Sequence, residues 1–266
     1  DSLIRSMMSN VEPDLLITPA TGKVFVPEGE VYDWIYEQKN VKNMCTILQE
    51  QVFINYSGQQ GLALVKGVDK IYEDESPIRD HLYDGEFKLH HGDIPYAGMA
   101  YNMGINHRFL SPIEIYFPSR TRRISLSNPA ASIEAVKVWP ACTFSVNSDV
   151  DSKLMIVPIE VMRELLEYDN EISAVEIRVT EATSESDTAT LQKEISERMG
   201  DDYKVKNRYQ QNESLYKMMK YEKAAIYMIL IFVIIIIAFN IFGSLSMLII
   251  EKREDIQTLR SLGAQD

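Results

Sequence analysis

The chain has 266 residues, with 27 Lys and Arg against 39 Asp and Glu, a formal charge of −12. Its 45% hydrophobic and 25% charged content, with 12 Gly and 10 Pro, is that of one large or two modest globular domains; disorder, collagen-like repeats and a disulfide scaffold are excluded. A sequence pI near 4.9 argues against nucleic acid or an anionic membrane surface as a main partner.

The opening DSLIRSMMSN places Leu3, Ile4, Met7 and Met8 at helical spacing and reads as the tail of a helix, stopped by Pro13. DLLITPA at Asp14–Ala20 reads as a short strand, and Gly29–Asn40 as a short helix with Val31, Trp34 and Ile35 on its inner face. Met44–Tyr56 and Leu62–Asp69 alternate around SGQQG, a hairpin signal with glycine at both ends of the turn. Between Pro77 and Asp151 the chain turns rich in Gly, Pro and aromatics, with short runs such as IEIYF and ACTFSV, and a small, mostly β insertion is expected. This stretch holds Arg120, Arg122 and Arg123 in an otherwise acidic region. A connection of that length is unusual unless it binds something; the arginines read either as solvated charge or as a partner-docking site. Val157–Tyr168 then starts an amphipathic helix and Ser173–Thr180 alternates as a strand. SDTATLQKEISERMG is a helix capped by Ser186 or Asp187 and stopped at Gly200. DDYKVKN is a further strand, and the helix that begins at Asn212 meets no breaker. The expected fold class is α+β: two strand–helix–strand units, 1–76 and 152–221, share one sheet, with 77–151 as a β-rich inserted subdomain.

From Ala224 to Ile250 the sequence runs 27 residues without a charge. A bilayer core needs roughly 20 apolar residues as helix, so 222–250 is expected to be one transmembrane helix. A buried helix of a soluble protein is the weaker reading, because core helices rarely run so long without a polar face. Lysines precede and follow the span, so orientation is not set by charge. No signal peptide is visible at Asp1, and an exported domain without one implies a further membrane helix upstream. Beyond the span, in residues 251–266, Ile256, Leu259 and Leu262 fall three apart and give a short amphipathic helix ended by Gly263. Its Glu254 and Asp255 favour docking to protein over lipid headgroups.

No constellation supports catalysis. His81, His90, His91 and His107 lack Cys or acidic partners at ligand spacing. Asp149 and Asp151 lack the glycine and distant glutamate of a calcium loop. No glycine-rich phosphate loop and no GxSxG is present, so the chain is not expected to be an enzyme or to hold a metal or cofactor. Cys45 and Cys142 allow at most one bridge and leave the redox compartment open.

The run EKAAIYMILIFVIIIIAFNIFGSLSMLIIEKREDIQTLRSLGA resembles the second membrane helix and following cytoplasmic loop of lipoprotein-releasing ABC transporter permeases, the LolC/LolE family. The matching elements are Glu222-Lys223, Phe239-Asn240-Ile241, Met247, Glu251-Lys252, Asp255-Ile256, Leu259-Arg260 and Gly263-Ala264. Upstream, PDLLITPATGKVF, VKGVD, YAGMAYNMGI, IEIYFPSR and FSVNSDVDSKLMIVPIEVMRELLEY look like the periplasmic core this family shares with its macrolide-exporter (MacB-type) relative and other FtsX-like permeases.

The resemblance implies a bacterial inner-membrane permease subunit with its large domain in the periplasm, of which this chain is a fragment. Its partners would be an ABC ATPase subunit, a second permease subunit in a homo- or heterodimer, a periplasmic lipoprotein carrier, the lipoprotein substrate and membrane lipid. Segment 251–266 would be the coupling helix seated in the ATPase, with Glu254, Asp255, Thr258, Leu259, Arg260 and Gly263 at the contact. Phe239, Asn240 and Phe242 would line the substrate cavity or, equally, face lipid. The loop with Arg120, Arg122 and Arg123 is where carrier docking would fall. A MacB-type efflux permease is the nearest alternative, although Glu251-Lys252 stands where that group carries a Thr-Glu-Arg element. A non-transporting membrane-anchored sensor or cell-division regulator is the third.

Overall fold

The computed structural model describes residues 11–105, 111–122, 132–146, 153–180, 182–211 and 213–262. They fall into two units, Asp1–Gln211 and Asn212–Asp266.

In the first unit, β1 (Leu15–Pro19), α1 (Glu30–Tyr36), β2 (Val41–Tyr56) and β3 (Gln59–Val68) follow in the expected order. The β2–β3 turn is tighter than the sequence suggests. Only Ser57 and Gly58 lie outside the ladder, both with positive φ (50° and 85°), so Tyr56 pairs directly with Gln59. Positive φ at both central positions is the hairpin turn whose twist matches that of the strands. Near the other end of the unit come β10 (Ala174–Val179), α4 (Glu185–Met199) and β11 (Tyr203–Asn207), with β2 and β1 completing an antiparallel order β11-β1-β10-β2. That is the split β-α-β arrangement, assembled from both ends of the unit. Helices α1 and α4 pack together, with the Arg198 guanidinium 4.0 Å over the Trp34 ring. The α4 N-cap is Ser184, two residues before the nearer expected position. Its hydroxyl accepts the Asp187 N–H while the Asp187 carboxylate reaches back to the Ser184 N–H, a reciprocal pair that satisfies two otherwise orphaned donors. Gly200 ends the helix at φ 72°, as read from sequence.

Between these elements lie α2 (Lys70–Glu75), β4 (Leu82–Gly85), β5 (His90–His91), β6 (Ile94–Ala100), β7 (Ile113–Pro118), β8 (Ile133–Phe144), β9 (Leu154–Pro158) and α3 (Ile159–Leu166). They continue the same sheet. Strand β3 pairs with β9, β9 with β6, β6 with β8, β8 with β7, and β7 with the C-terminal part of β2. Six strands therefore close into a ring. Residues 77–151 supply three of them and the flanking segments the other three. Strand β9 was not foreseen: LMIVP has no alternation because it is buried on both faces, as a strand in parallel pairing tends to be.

The ring encloses a core of Val52, Ile54, Val65, Met99, Ile115 and Val138, among others, and α3 lies against β2, β3, β7, β8 and β9. Gly67 permits that approach. A Cβ there would stand 2.7 Å from Met162 Cγ and 3.2 Å from Ile159 Cα. A second core, with Cys45, Ile47, Tyr72, Phe87, Cys142 and Phe144, occupies the other side of the sheet. Beside Tyr72 lies a buried ion pair, Lys66 Nζ to Glu176 Oε1 at 2.6 Å, with side chains 10% and 8% exposed.

The second unit is dominated by α6 (Glu213–Ser261), preceded in the chain by the short α5 (Arg208–Gln211). Helix α6 has 49 residues, about 73 Å at 1.5 Å per residue. Within it Lys220–Leu259 is long and apolar enough to cross a membrane. Its large apolar side chains are exposed, unlike those of a buried core helix. The fold class is the expected α+β unit followed by one apolar helix. The helix does not pause at Ile250, because the following EKREDIQTLRS contains neither Gly nor Pro and Lys252 pairs with Asp255 at 3.1 Å.

Candidate functional site

The arginine-bearing segment leaves β7 at Pro118, where the Glu167 carboxylate gathers it. Glu167 accepts the Arg120 N–H at 2.6 Å, the Thr121 N–H at 3.0 Å and the Thr121 hydroxyl at 2.6 Å, and the Ser119 hydroxyl lies 3.1 Å from both carboxylate oxygens. The Arg122 N–H in turn donates to Ser119 Oγ at 3.1 Å. The Arg120 guanidinium lies 4.1 Å over the Tyr168 ring, and Arg122 reaches Glu134 at 3.3 Å. Arg123 lies outside the described residues.

These donors, the Thr121 hydroxyl foremost and then the Arg120 and Thr121 N–H groups, draw the Glu167 carboxyl from 4.5 down to about 2 against an opposing effect of burial. A depressed carboxyl stabilises the fold fully above its ordinary value and loses that contribution as pH falls through the depressed one. The anchoring of residues 119–121 is therefore expected to persist to about pH 2. A carboxyl-carbon NMR titration checks it; a Glu167 midpoint near 4.5 would contradict the geometry.

Adjoining this segment is a groove of about 340 Å³, lined among others by Phe53, Tyr116, Pro118 and Ile133. Phe53 is 58% and Ile133 46% exposed, and Phe53 sits opposite Tyr116 across the β2–β7 pairing. At its edge Glu114 accepts from the Tyr116 hydroxyl at 2.6 Å and Asn55 at 3.1 Å, with Lys137 at 3.0 Å, and these contacts lower its carboxyl to about 2. The arrangement suits a partner that presents an apolar edge flanked by anionic groups. Sequence reading found the arginines but missed the groove and Glu167. The alternation of IEIYFP did signal that Tyr116 and Pro118 face away from Ile113 and Ile115.

Among the described residues no three His, Cys, Asp or Glu side chains converge as a metal site. His90 Nδ1 is 2.9 Å from the Glu73 carboxylate, which also accepts the Leu89 N–H at 2.8 Å. His107, Asp149 and Asp151 lie outside the described residues. Cys45 and Cys142 are separate buried thiols, and burial pushes both up, Cys142 to about 12, which favours the protonated form.

On α6, Phe239 and Phe242 share a face three residues apart, 72% and 71% exposed. Asn240 turns to the neighbouring face, and its amide donates to the Ile236 carbonyl at 2.9 Å, so the helix itself satisfies part of the polar group. Asp255, Thr258 and Leu259, at i, i+3 and i+4, form one exposed strip in the last turns. The side chains of Glu254 and Arg260, and Gly263 altogether, lie outside those described.

No protein-family model matches the chain. Among curated proteins it is 32% identical over 116 residues to the lipoprotein-releasing system transmembrane protein LolC of Neisseria meningitidis serogroup B, covering 43% of this chain and 27% of the relative. It is 28% identical over 116 residues to LolC of Xylella fastidiosa, covering 44% and 27%. The matched region thus spans about a quarter of the relatives' length. Among solved structures, the periplasmic region of MacB from Actinobacillus actinomycetemcomitans aligns at a TM-score of 0.47 with 9% identity, over 80% of this chain and 97% of that one. The extracellular domain of the noncanonic ABC-type transporter YknZ aligns at 0.47 with 13% identity, over 73% and 99%. Across 43% of its length the chain is a homologue of the transmembrane protein LolC of lipoprotein-releasing systems.

Proposed function

We propose that this chain is part of the permease subunit of an ABC transporter that extracts lipoproteins from the inner membrane and passes them to a periplasmic carrier. The sequence likeness to LolC proteins carries this reading. In it the subunit performs no chemistry; a separate ATPase chain supplies the energy and a second permease subunit completes the pore. The large unit stands in the periplasm and α6 crosses the membrane.

The geometry supports a mechanical role. An unbroken helix from Glu213 to Ser261 carries a displacement of its cytoplasmic end to its periplasmic end without a joint. Asp255, Thr258 and Leu259, with Glu254, Arg260 and Gly263, seat that end in the ATPase. Phe239 and Phe242 face the acyl chains, and Asn240 faces a neighbouring helix or the cavity. Freeing a lipid anchor costs about 0.8 kcal/mol per buried CH₂, on the order of 10 kcal/mol per long chain, so extraction needs an external drive. The arginine segment and the adjoining groove receive the carrier.

The test is calorimetric binding of the full chain, in nanodiscs, to the lipoprotein carrier encoded in the same genome. Saturable binding is expected, and joint Arg120→Glu and Arg122→Glu substitution should weaken it at least tenfold, since a rim charge reversal opposes the partner's anionic groups. Unaltered affinity in that variant would remove the segment from the docking surface.

A further inference from the structure

We propose that Glu167 is the positioning residue of this docking surface, holding Ser119–Arg122 in one shape so that Arg120 and Arg122 present their guanidinium groups together. The inference rests on the docking role proposed above for that segment.

Glu167 follows the last residue of α3 and has φ +55°. A helix commonly ends in this left-handed geometry, with glycine strongly favoured there because a side chain is strained. Glutamate at such a position is unfavourable for the helix end itself. What the side chain does is visible across the gap. One carboxylate meets donors from three consecutive residues, with oxygen distances of 2.6–3.1 Å. The next residue, Tyr168, carries the Arg120 guanidinium on its ring at 4.1 Å. The pair Glu167-Tyr168 therefore fixes the Arg120 backbone and side chain at once. The base is firm, because Met162 and Leu165 of the same helix are fully buried in the main core. Arg122, tied through its N–H to Ser119 Oγ and through its guanidinium to Glu134, inherits the same fixed root. Two arginines held in advance lose less conformational freedom on docking, and affinity rises without any new contact.

Glu167→Gly separates this role from a merely structural one. Glycine suits φ +55° and the helix end, which offsets part of the stability the carboxylate supplies, so the unit should stay folded with only a small fall in its unfolding midpoint while the carboxylate is gone. In the full chain in nanodiscs, hydrogen exchange at the Arg120 and Thr121 amides should accelerate at least tenfold, and affinity for the same-genome carrier should fall about tenfold. Glu167→Gln keeps one acceptor oxygen and should lie between. Unchanged exchange in Glu167→Gly would overturn the anchoring, and faster exchange with full affinity would overturn the positioning role. If the unsubstituted chain fails to bind the carrier, the docking reading falls and the positioning role with it, while the exchange result still decides whether Glu167 fixes the segment.

Discussion

Leu259→Asp, placed in the complete protein, is expected on the function proposed above to abolish ATP-driven lipoprotein release and to separate the ATPase subunit on purification, with the unit Asp1–Gln211 still folded. Leu259 is 56% exposed and shares one strip of α6 with Asp255 and Thr258. An apolar side chain so exposed on a charged segment gains about 1.5–3 kcal/mol when a partner covers it. A carboxylate in its place forfeits that gain and adds the cost of an unpaired buried charge, several kcal/mol more. The combined loss exceeds a hundredfold in association. Leu259 belongs to the other unit, Asn212–Asp266, so the thermal midpoint of Asp1–Gln211 should not move. Co-purification and release measured side by side check the prediction; normal release from the variant would end the coupling role of the segment.

Lys66→Met is expected to cost the unit Asp1–Gln211 about 3–5 kcal/mol, out of a total that for domains is typically 5–15. The Lys66 ammonium is buried, and burial opposes its charge. Glu176 and the Tyr72 hydroxyl, at 2.6 and 3.4 Å, more than offset that and raise its pKa. The Tyr72 ring centroid lies 4.6 Å from the same nitrogen. Among the described residues Glu176 Oε2 is buried without a hydrogen-bond partner, so removing Lys66 takes away the contact that holds this carboxylate. Combining Lys66→Met with Glu176→Leu should recover most of the loss, since an apolar pair of similar volume replaces a buried ion pair at little net cost. Urea unfolding followed by tryptophan fluorescence reads this directly, because Trp34 and Trp139 both lie in that unit. A double variant no more stable than the single one would show that Glu176 has another partner.

Local chemistry made much of this molecule readable from its sequence. The membrane helix announces itself by 27 uncharged residues, Gly200 by its place at the end of an amphipathic run, and the β2–β3 hairpin by SGQQG between alternating strands, although the turn itself is only Ser57-Gly58. What escaped depends on contacts far apart in the chain. Ring closure joins Phe53–Asn55 to Glu114–Tyr116, and no local pattern encodes that pairing. Strand β9 looks like the start of α3 because a strand buried on both faces and a helix onset share the same run of apolar residues. At the candidate site the arginines stood out by charge, but their anchor lies 47 residues downstream of Arg120. A glutamate after an amphipathic helix carries no sign that it will meet backbone N–H groups elsewhere.

Strand β2 has a consequence for how this protein can evolve. In its first half the odd residues Asn43, Cys45 and Ile47 are buried; from Leu48 on, the even residues Leu48, Val52 and Ile54 are buried instead. The first half is registered against β10 and the second against β7, with β3 alongside from Ile47 onward. A single inserted or deleted residue between them would turn Val52 and Ile54 outward and Phe53 inward while leaving the β10 pairing in place. Substitution can therefore explore this strand, but length cannot. Residues 41–56 are therefore expected to vary among homologues by exchange of side chains at constant length, which an alignment checks.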